Sequence, residues 1–137
     1  MLHLKVVTPE KTILETEVNS VYLPAEDGEI GILPRHIPLL SALKVGIARY
    51  QTLSGNQEAI ALMGGFVETD GKSITILTPA GELSDEVDTL RAQEAKSRAE
   101  AKLRETHDKV ELDQTKMALY RALTRLKLSE MVKRKQH

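Results

Sequence analysis

The chain has 137 residues, 41% of them hydrophobic, which indicates a folded protein of about domain size and excludes an intrinsically disordered one. Its net charge of −1 and its aromatic content of only 3% argue against a nucleic-acid partner, because they provide neither a basic face nor a base-stacking surface. The lack of cysteine excludes disulfides. No apolar run reaches the roughly 20 residues that span a bilayer and no signal-peptide pattern is present, so we expect a soluble, cytoplasmic protein.

The composition of the chain changes at Gly81. All eight glycines and all five prolines lie at or before this residue, and neither type occurs after it. Residues 1–81 carry six Lys or Arg against nine Asp or Glu, whereas residues 82–137 carry thirteen against eleven. Because glycine and proline interrupt regular structure, the shift predicts a turn-rich β domain over residues 1–81, a linker over residues 82–85 and a helical region over residues 86–137.

Short apolar runs fill the first region, with turn signals about every eight to twelve residues, as in an antiparallel sandwich. The loops at residues 54–56 and 70–71 contain glycine and predict hairpins. Gly64 and Gly65 predict either a bulge or a close backbone approach. The candidate strands are residues 3–7, 11–15, 18–23, 29–33, 45–53, 58–63, 66–69 and 73–78.

One apolar segment, Gly28–Leu40, is punctuated by two glycines and two prolines. Each proline restricts the residue before it to an extended backbone, here Leu33 and Ile37. One interpretation is a rigid loop that closes the sandwich. The other is a presented apolar loop that docks on another protein and carries polar side chains at its tip. The tip residues are Glu29, Arg35 and His36.

No catalytic or metal-binding motif occurs in the chain. The sequence lacks a phosphate-binding glycine loop, a nucleophile elbow and a His-Glu-x-x-His pair. Its four histidines lie far apart and form no short-spaced ligand pair. We therefore predict a protein that is not an enzyme and that has neither a catalytic residue nor a metal site.

The helical region divides into two candidate helices. Ser84 or Asp85 is expected to cap the first helix, and Asp108 is expected to cap the second after a break in the pattern. The expected fold class is α+β, with an N-terminal antiparallel β-sandwich followed by a C-terminal two-helix antiparallel hairpin. The expected apolar stripes are Ala92, Ala95, Ala99 and Leu103 on the first helix, and Leu112, Leu119, Leu123 and Leu126 on the second.

Four arginines in the hairpin suggest an anion site. Arg91 and Arg98 are seven residues apart and Arg121 and Arg125 are four apart, so each pair shares one helix face. A turn near residue 108 would bring Arg91 opposite about Arg125. Guanidinium groups gathered in this way repel, so either they splay into solvent or an anion lies between them. Arginine is well suited to bidentate phosphate contacts.

The chain resembles the epsilon subunit of bacterial F-type ATP synthase over essentially its whole length. The segments that carry the resemblance are Gly28–Leu40, Gly64–Glu68, Val87–Ala92 and Ala118–Leu126, in the family's order and spacing. The resemblance implies a central-stalk subunit that couples proton flow to ATP synthesis, next to the gamma subunit and the c-ring. It also implies a peripheral position on the cytoplasmic side of the bacterial cell membrane. Glu29, Arg35 and His36 match the family's ring-contacting region.

The resemblance further implies a regulatory role for the hairpin. In the family, the helices can extend into the alpha/beta catalytic head and inhibit ATP hydrolysis. Basic residues of the second helix, here Arg121, Arg125 and Lys127, then meet an acidic segment of the beta subunits. A nucleotide-sensing module with another partner is the alternative that the residues leave open; it predicts ATP binding without association with gamma.

In some family members the compact hairpin binds ATP as a regulatory ligand, through Ile or Leu followed by Asp-x-x-Arg-Ala. Asp88, Arg91 and Ala92 match this motif, whereas Val87 departs from its first position. The sequence leaves open whether Mg²⁺ accompanies the nucleotide. The other residues that match nucleotide contacts are Glu82, Arg98, Arg121 and Arg125.

Overall fold

The computed structural model describes residues 1–36 and 38–135. Two predictions fall outside the described residues: the extended backbone at Ile37 and the end of the helical region at residues 136–137. The chain divides into two compact units, Met1–Glu82 and Leu83–His137. The predicted fold class, a β-sandwich followed by two helices, is confirmed. In the segment expected as a linker, Glu82 closes the first unit and Leu83 opens the second.

Seven strands are described in the β region, and two of them run through residues that had suggested interruptions. The segment 12–25 merges two predicted strands, and the segment 57–69 merges two more across the paired glycines. The strand expected from residue 45 begins at Leu39. The strands are β1 Leu2–Val7, β2 Thr12–Ala25, β3 Gly28–Ile32, β4 Leu39–Thr52, β5 Gln57–Thr69, β6 Ser73–Leu77 and β7 Gly81–Leu83.

The sheet closes on itself. Its order is β1-β6-β5-β4-β2-β3, and β1 pairs with β2 as well as with β6. The hairpins predicted at residues 54–56 and 70–71 join β4 to β5 and β5 to β6. However, β1 and β6 pair in parallel, which departs from a wholly antiparallel sandwich. These two strands are far apart in the sequence, so no tight turn constrains their relative direction.

The core of the sandwich is aliphatic. Burial alternates along β1, where Leu2, Leu4 and Val6 are fully buried and the residues between them are partly exposed. Each such side chain contributes about 1.5–3 kcal/mol by leaving water. The other large aliphatic side chains that are fully buried among the described residues of this unit are Val18, Val21, Leu23, Ile32, Ile60, Leu62, Val67, Ile74 and Ile76.

Gly65 allows two strands to approach closely. Its φ is +121°, and a Cβ built on it would overlap the carbonyl oxygen of Leu77. The pairing of β4 with β5 keeps the same register on both sides, from Leu43 opposite Gly65 to Val45 opposite Met63. Of the two alternatives predicted for the paired glycines, the close backbone approach is therefore the one observed.

His3 is held between two carboxylates of β2. Its Nδ1 lies 3.0 Å from Glu17 Oε1 and its Nε2 lies 2.7 Å from Glu15 Oε2. Hydrogen bonds to Glu17 and then to Glu15 raise the pKa of His3 above its ordinary value of 6.5. The protonated imidazole thus links β1 to β2.

We expect this link to make stability depend on pH. Because the folded-state pKa of His3 is raised, its contribution is fully present below pH 6.5 and is lost as the pH rises through the folded-state pKa. Urea unfolding of the full chain across this window should show the free energy of unfolding falling with pH. His3→Gln should flatten that slope, and so should Glu15→Gln with Glu17→Gln. An unaltered slope in both variants would contradict the assignment.

The helical unit begins with a short 3₁₀ turn, Ser84–Glu86, followed by helix α1, Thr89–Glu105. The predicted cap at Ser84 or Asp85 is wrong. Asp88 is the N-cap, and its carboxylate accepts a hydrogen bond of 3.0 Å from the Arg91 N–H. The first helix starts later than expected because residues 84–86 form a separate turn, in which Glu86 accepts from the Leu83 N–H at 3.1 Å.

Helix α2, Lys109–Lys135, begins as predicted. The Asp108 carboxylate accepts from the N–H groups of Val110 at 2.8 Å and Glu111 at 3.3 Å. Leu123 was expected in the buried stripe but is 40% exposed, whereas Ala122 is fully buried. Successive helix residues differ by about 100° in direction, so burial of Ala122 turns its neighbour away. None of the helices described is long and apolar enough to cross a membrane.

Candidate functional site

Two polar contacts fix the register of the hairpin. At its open end the hydroxyl oxygens of Thr89 and Ser129 lie 2.9 Å apart. Near the turn, Lys102 Nζ lies 3.4 Å from Glu111 Oε1. The two helices therefore run antiparallel, and this register puts residue 91 at about the level of residue 125, as the sequence predicts.

Small residues bring the helices together. Ala92 and Ala99 are buried on α1, and Ala122 is buried on α2. Thr115 is also buried, and its hydroxyl donates to the Glu111 carbonyl at 2.7 Å. Alanine buries little apolar area, so the packing that holds this hairpin is weak for its length. Such an element is suited to opening.

The two helices enclose a groove. Arg91, Ala95, Arg98 and Lys102 recur at i, i+4, i+7 and i+11, so they lie along one flank of α1. A cavity of about 320 Å³ shows that this flank faces α2 from Ala95 to Lys102. We call the space between the flanks the hairpin groove. The matching flank of α2 carries Gln114, Ala118, Arg121 and Arg125, and the residues that line the cavity are Ala95, Arg98, Ala99, Lys102, Gln114, Thr115 and Ala118.

Of the four predicted arginines, Arg98 lines the cavity. Helical spacing puts Arg91 on the same flank of α1 as Arg98, and Arg121 and Arg125 on the same flank of α2 as Ala118. The arginines at 91, 98 and 121 are exposed, and the one at 125 is half-buried. Ala92 lies buried between the helices, and Asp88 stands at the open end, where its carboxylate caps α1. Glu82 belongs to the other unit. Lys127 lies on a different face of α2 from Arg121 and Arg125, because offsets of two and six residues turn it well away from both.

Two groove residues were absent from the predicted set. Lys102 and Gln114 line the cavity beside Arg98. The signal that would have identified them is spacing. Lys102 continues the row of Arg91 and Arg98, and Gln114 precedes Arg121 by seven residues. Among residues 1–36 and 38–135, no group of three or more His, Asp or Glu could hold a metal ion.

The turn after β3 is exposed and is held by two backbone hydrogen bonds. The His36 N–H donates to the Leu33 carbonyl at 3.1 Å, and the Arg35 N–H donates to Gly71 O at 3.2 Å. Arg35 has a φ of +68°, a conformation that favours glycine at the third position of such a turn. Leu33 is 54% exposed and Leu40 is 72% exposed. The turn is thus fastened to the β5–β6 hairpin while it presents apolar side chains.

Glu29 lies at the opposite end of β3 from Arg35 and His36. Its carboxylate pairs with Arg49 Nη2 at 2.7 Å. The Arg49 guanidinium also stacks over the Tyr22 ring, 5.3 Å from its centroid. The structure therefore does not group Glu29 with the other two residues predicted for the loop tip.

Comparison with protein families gives two matches that together span nearly the whole chain. The family described as ATP synthase, Delta/Epsilon chain, beta-sandwich domain matches residues 1–84. The family described as ATP synthase, Delta/Epsilon chain, long alpha-helix domain matches residues 85–130. The boundary between the matches falls within two residues of the boundary between the compact units.

Individual relatives carry the same name. The ATP synthase epsilon chain of Syntrophobacter fumaroxidans is 45% identical, over 94% of this chain and 96% of its own length. That of Desulforamulus reducens is 40% identical, over 93% of this chain and 96% of its own length. A chain in the cryo-EM structure of Euglena gracilis mitochondrial ATP synthase has a TM-score of 0.78 at 23% identity, covering 99% of this chain and 81% of that one. This last likeness shows a shared fold.

Proposed function

The chain belongs to the family of ATP synthase epsilon chains, and from that premise we propose that it couples proton flow to ATP synthesis in the central stalk and inhibits ATP hydrolysis through its hairpin. Epsilon chains are non-catalytic subunits of the synthase. ATP is the proposed regulatory ligand. It binds in the hairpin groove and holds the hairpin closed, in its non-inhibitory state.

The observation that supports an ATP site is the joint contribution of the two helices to one cationic groove. Arg91 and Arg98 come from α1, and Arg121 and Arg125 come from α2. Separation of the helices would disperse these four charges. A polyanion that contacts both pairs therefore binds the closed hairpin more tightly than the open one. A ligand stabilises the state for which it has the higher affinity, so ATP opposes opening.

The same residues connect ATP binding to inhibition. In the open state, Arg121, Arg125 and Lys127 contact acidic residues of the beta subunits. Arg121 and Arg125 would then be used either for phosphate or for the beta carboxylates. The two states exclude each other because they use the same arginines. ATP concentration therefore has a direct effect on the inhibition of ATP hydrolysis.

We assign assembly to the sandwich. The turn at Arg35 and His36, with exposed Leu33 and Leu40 nearby, docks on the c-ring, and the sandwich also contacts the gamma subunit. Glu29 supports this surface indirectly, because its ion pair with Arg49 ties β3 to β4. Through these contacts the subunit lies peripherally at the cytoplasmic side of the bacterial cell membrane.

A disulfide across the open end of the hairpin tests whether the hairpin must open to inhibit ATP hydrolysis. The chain has no native cysteine, and the Thr89 and Ser129 hydroxyls are 2.9 Å apart, so cysteines at both positions lie within disulfide reach. In a reconstituted synthase that carries both substitutions, oxidation should raise the rate of ATP hydrolysis, because the hairpin cannot extend. Reduction should restore inhibition.

The single substitution Thr89→Cys is the matched control, because it cannot form the intramolecular bridge. Its hydrolysis rate should be the same under oxidising and reducing conditions. Equal rates in the oxidised and reduced double variant would contradict an inhibitory role for the open hairpin.

A further inference from the structure

We propose that the hydroxyl pair of Thr89 and Ser129 is a latch that controls the equilibrium between the closed and open states of the hairpin. The two oxygens lie 2.9 Å apart across the open end of the hairpin. The proposal rests on the function proposed above, in which opening of the hairpin leads to inhibition of ATP hydrolysis. It identifies the contact that limits this opening when no ligand is bound.

The latch continues the row of small residues on each helix. On α2, Thr115, Ala122 and Ser129 recur every seven residues, so they lie on one face of the helix. On α1, Thr89 precedes the buried Ala92 by three residues and shares its face. Both latch side chains are half-buried. A hydrogen bond within the protein that replaces bonds to water has a modest net stabilising effect, so this contact favours the closed state.

The latch has a measurable effect because the contacts beside it are weak. The buried residues Ala92, Ala99 and Ala122 are all alanines, and an alanine buries little apolar area. At the other end of the hairpin, the ion pair of Lys102 with Glu111 joins two side chains that are about half exposed. Exposed pairs of this kind contribute little to stability. Loss of one hydrogen bond should therefore shift the equilibrium towards the open state.

The position of the latch gives it control over the first stage of opening. Residues 106–108 join the helices, so α2 separates from α1 by rotating about this turn. Ser129 lies about 33 Å along α2 from residue 107, and Glu111 lies about 6 Å from it, at 1.5 Å per residue. A rotation of about 10° would move Ser129 by about 6 Å and Glu111 by about 1 Å. A hydrogen bond is lost beyond about 3.5 Å, so the latch breaks at the start of opening.

A buried cysteine can report the opening of the hairpin. The chain has no native cysteine, and Ala99 is only 5% exposed between the helices. The thiol of Ala99→Cys should therefore react with a disulfide reagent only when the hairpin opens. Where opening and closing are faster than the reaction, the reaction rate is proportional to the open fraction.

We expect loss of either hydroxyl to accelerate this thiol reaction in the full chain without nucleotide. Thr89→Val and Ser129→Ala, each combined with Ala99→Cys, should raise the rate by about two- to tenfold, the effect of one net hydrogen bond. The two substitutions together should have about the effect of either one alone, because both remove the same contact.

Thr124→Val is the matched control. The Thr124 hydroxyl donates to the Tyr120 carbonyl of its own helix at 2.7 Å, so this substitution removes a hydroxyl from α2 but no hydrogen bond to α1. It should change the rate by less than about twofold. Ala48→Cys, buried in the sandwich, should react at the same slow rate with and without the latch.

Unchanged rates in both latch variants, or effects that multiply in the double variant, would overturn the proposal. An equal acceleration in Thr124→Val or at Ala48→Cys would also overturn it, because the effect would then not be specific to the latch. In a reconstituted synthase, Thr89→Val should lower the rate of ATP hydrolysis. A faster thiol reaction with an unchanged hydrolysis rate would contradict the proposed inhibition while leaving the latch in place.

Discussion

Replacing Arg91 by alanine should raise the dissociation constant for ATP by more than tenfold. A charge-assisted hydrogen bond contributes about 1.5–3 kcal/mol, and 1.4 kcal/mol corresponds to a factor of ten. The substitution preserves the backbone N–H of residue 91, which donates a hydrogen bond to the Asp88 carboxylate, so the cap of α1 remains. Alanine is also the best helix former. A loss of affinity would therefore come from the guanidinium itself.

Arg104→Ala is the control for this measurement. Arg104 is an exposed arginine in the last turn of α1, thirteen residues after Arg91 and on a different face of the helix. Arg104→Ala removes one positive charge, as Arg91→Ala does. The control therefore accounts for the effect of net charge on ATP affinity. Calorimetric titration should show little change in Arg104→Ala. An unchanged affinity in Arg91→Ala would refute its assignment to the ATP site.

Replacing Gly65 by alanine should strongly destabilise the sandwich, by about 3–5 kcal/mol. Two effects add: a positive φ that is unfavourable for a side chain, and overlap of the new methyl group with the Leu77 carbonyl. Backbone strain of this kind costs about 1–3 kcal/mol, and overpacking costs a similar amount. The neighbour is backbone in a paired strand, so it cannot move aside without breaking the sheet.

Gly55→Ala separates the two effects. Gly55 also has a positive φ, +93°, but a Cβ there would meet nothing within 4 Å. Urea unfolding should therefore show a loss of only about 1 kcal/mol in Gly55→Ala, which reports the strain alone. Equal losses in the two variants would contradict a steric role for Gly65.

Local signals in the sequence predicted much of the hairpin. Asp108 caps α2 as expected, because an acceptor just before a helical run has few alternative partners. The spacing of Arg91 with Arg98, and of Arg121 with Arg125, puts each pair on one helix face, because helical periodicity is independent of tertiary context. These features depend on neighbours within about one or two helical turns.

The features that were not predicted depend on distant partners. The parallel pairing of β1 with β6 is determined by closure of the sheet and has no local signature. The start of α1 was misplaced because Ser84, Asp85 and Asp88 are all acceptable caps by type, and packing selects among them. Lys102 was not predicted as a groove residue because its place in the lining of the cavity depends on α2 lying beside it.

The most direct test of the central claim is a calorimetric titration of the unsubstituted chain with ATP, and with ADP for comparison. The claim is that the closed hairpin of this epsilon chain is an ATP site. We expect saturable binding that prefers ATP, because a triphosphate carries more negative charge than a diphosphate and each helix of the hairpin supplies two arginines. No binding at millimolar ATP would contradict the claim, and the arginines would then be reassigned to contacts with the beta subunits.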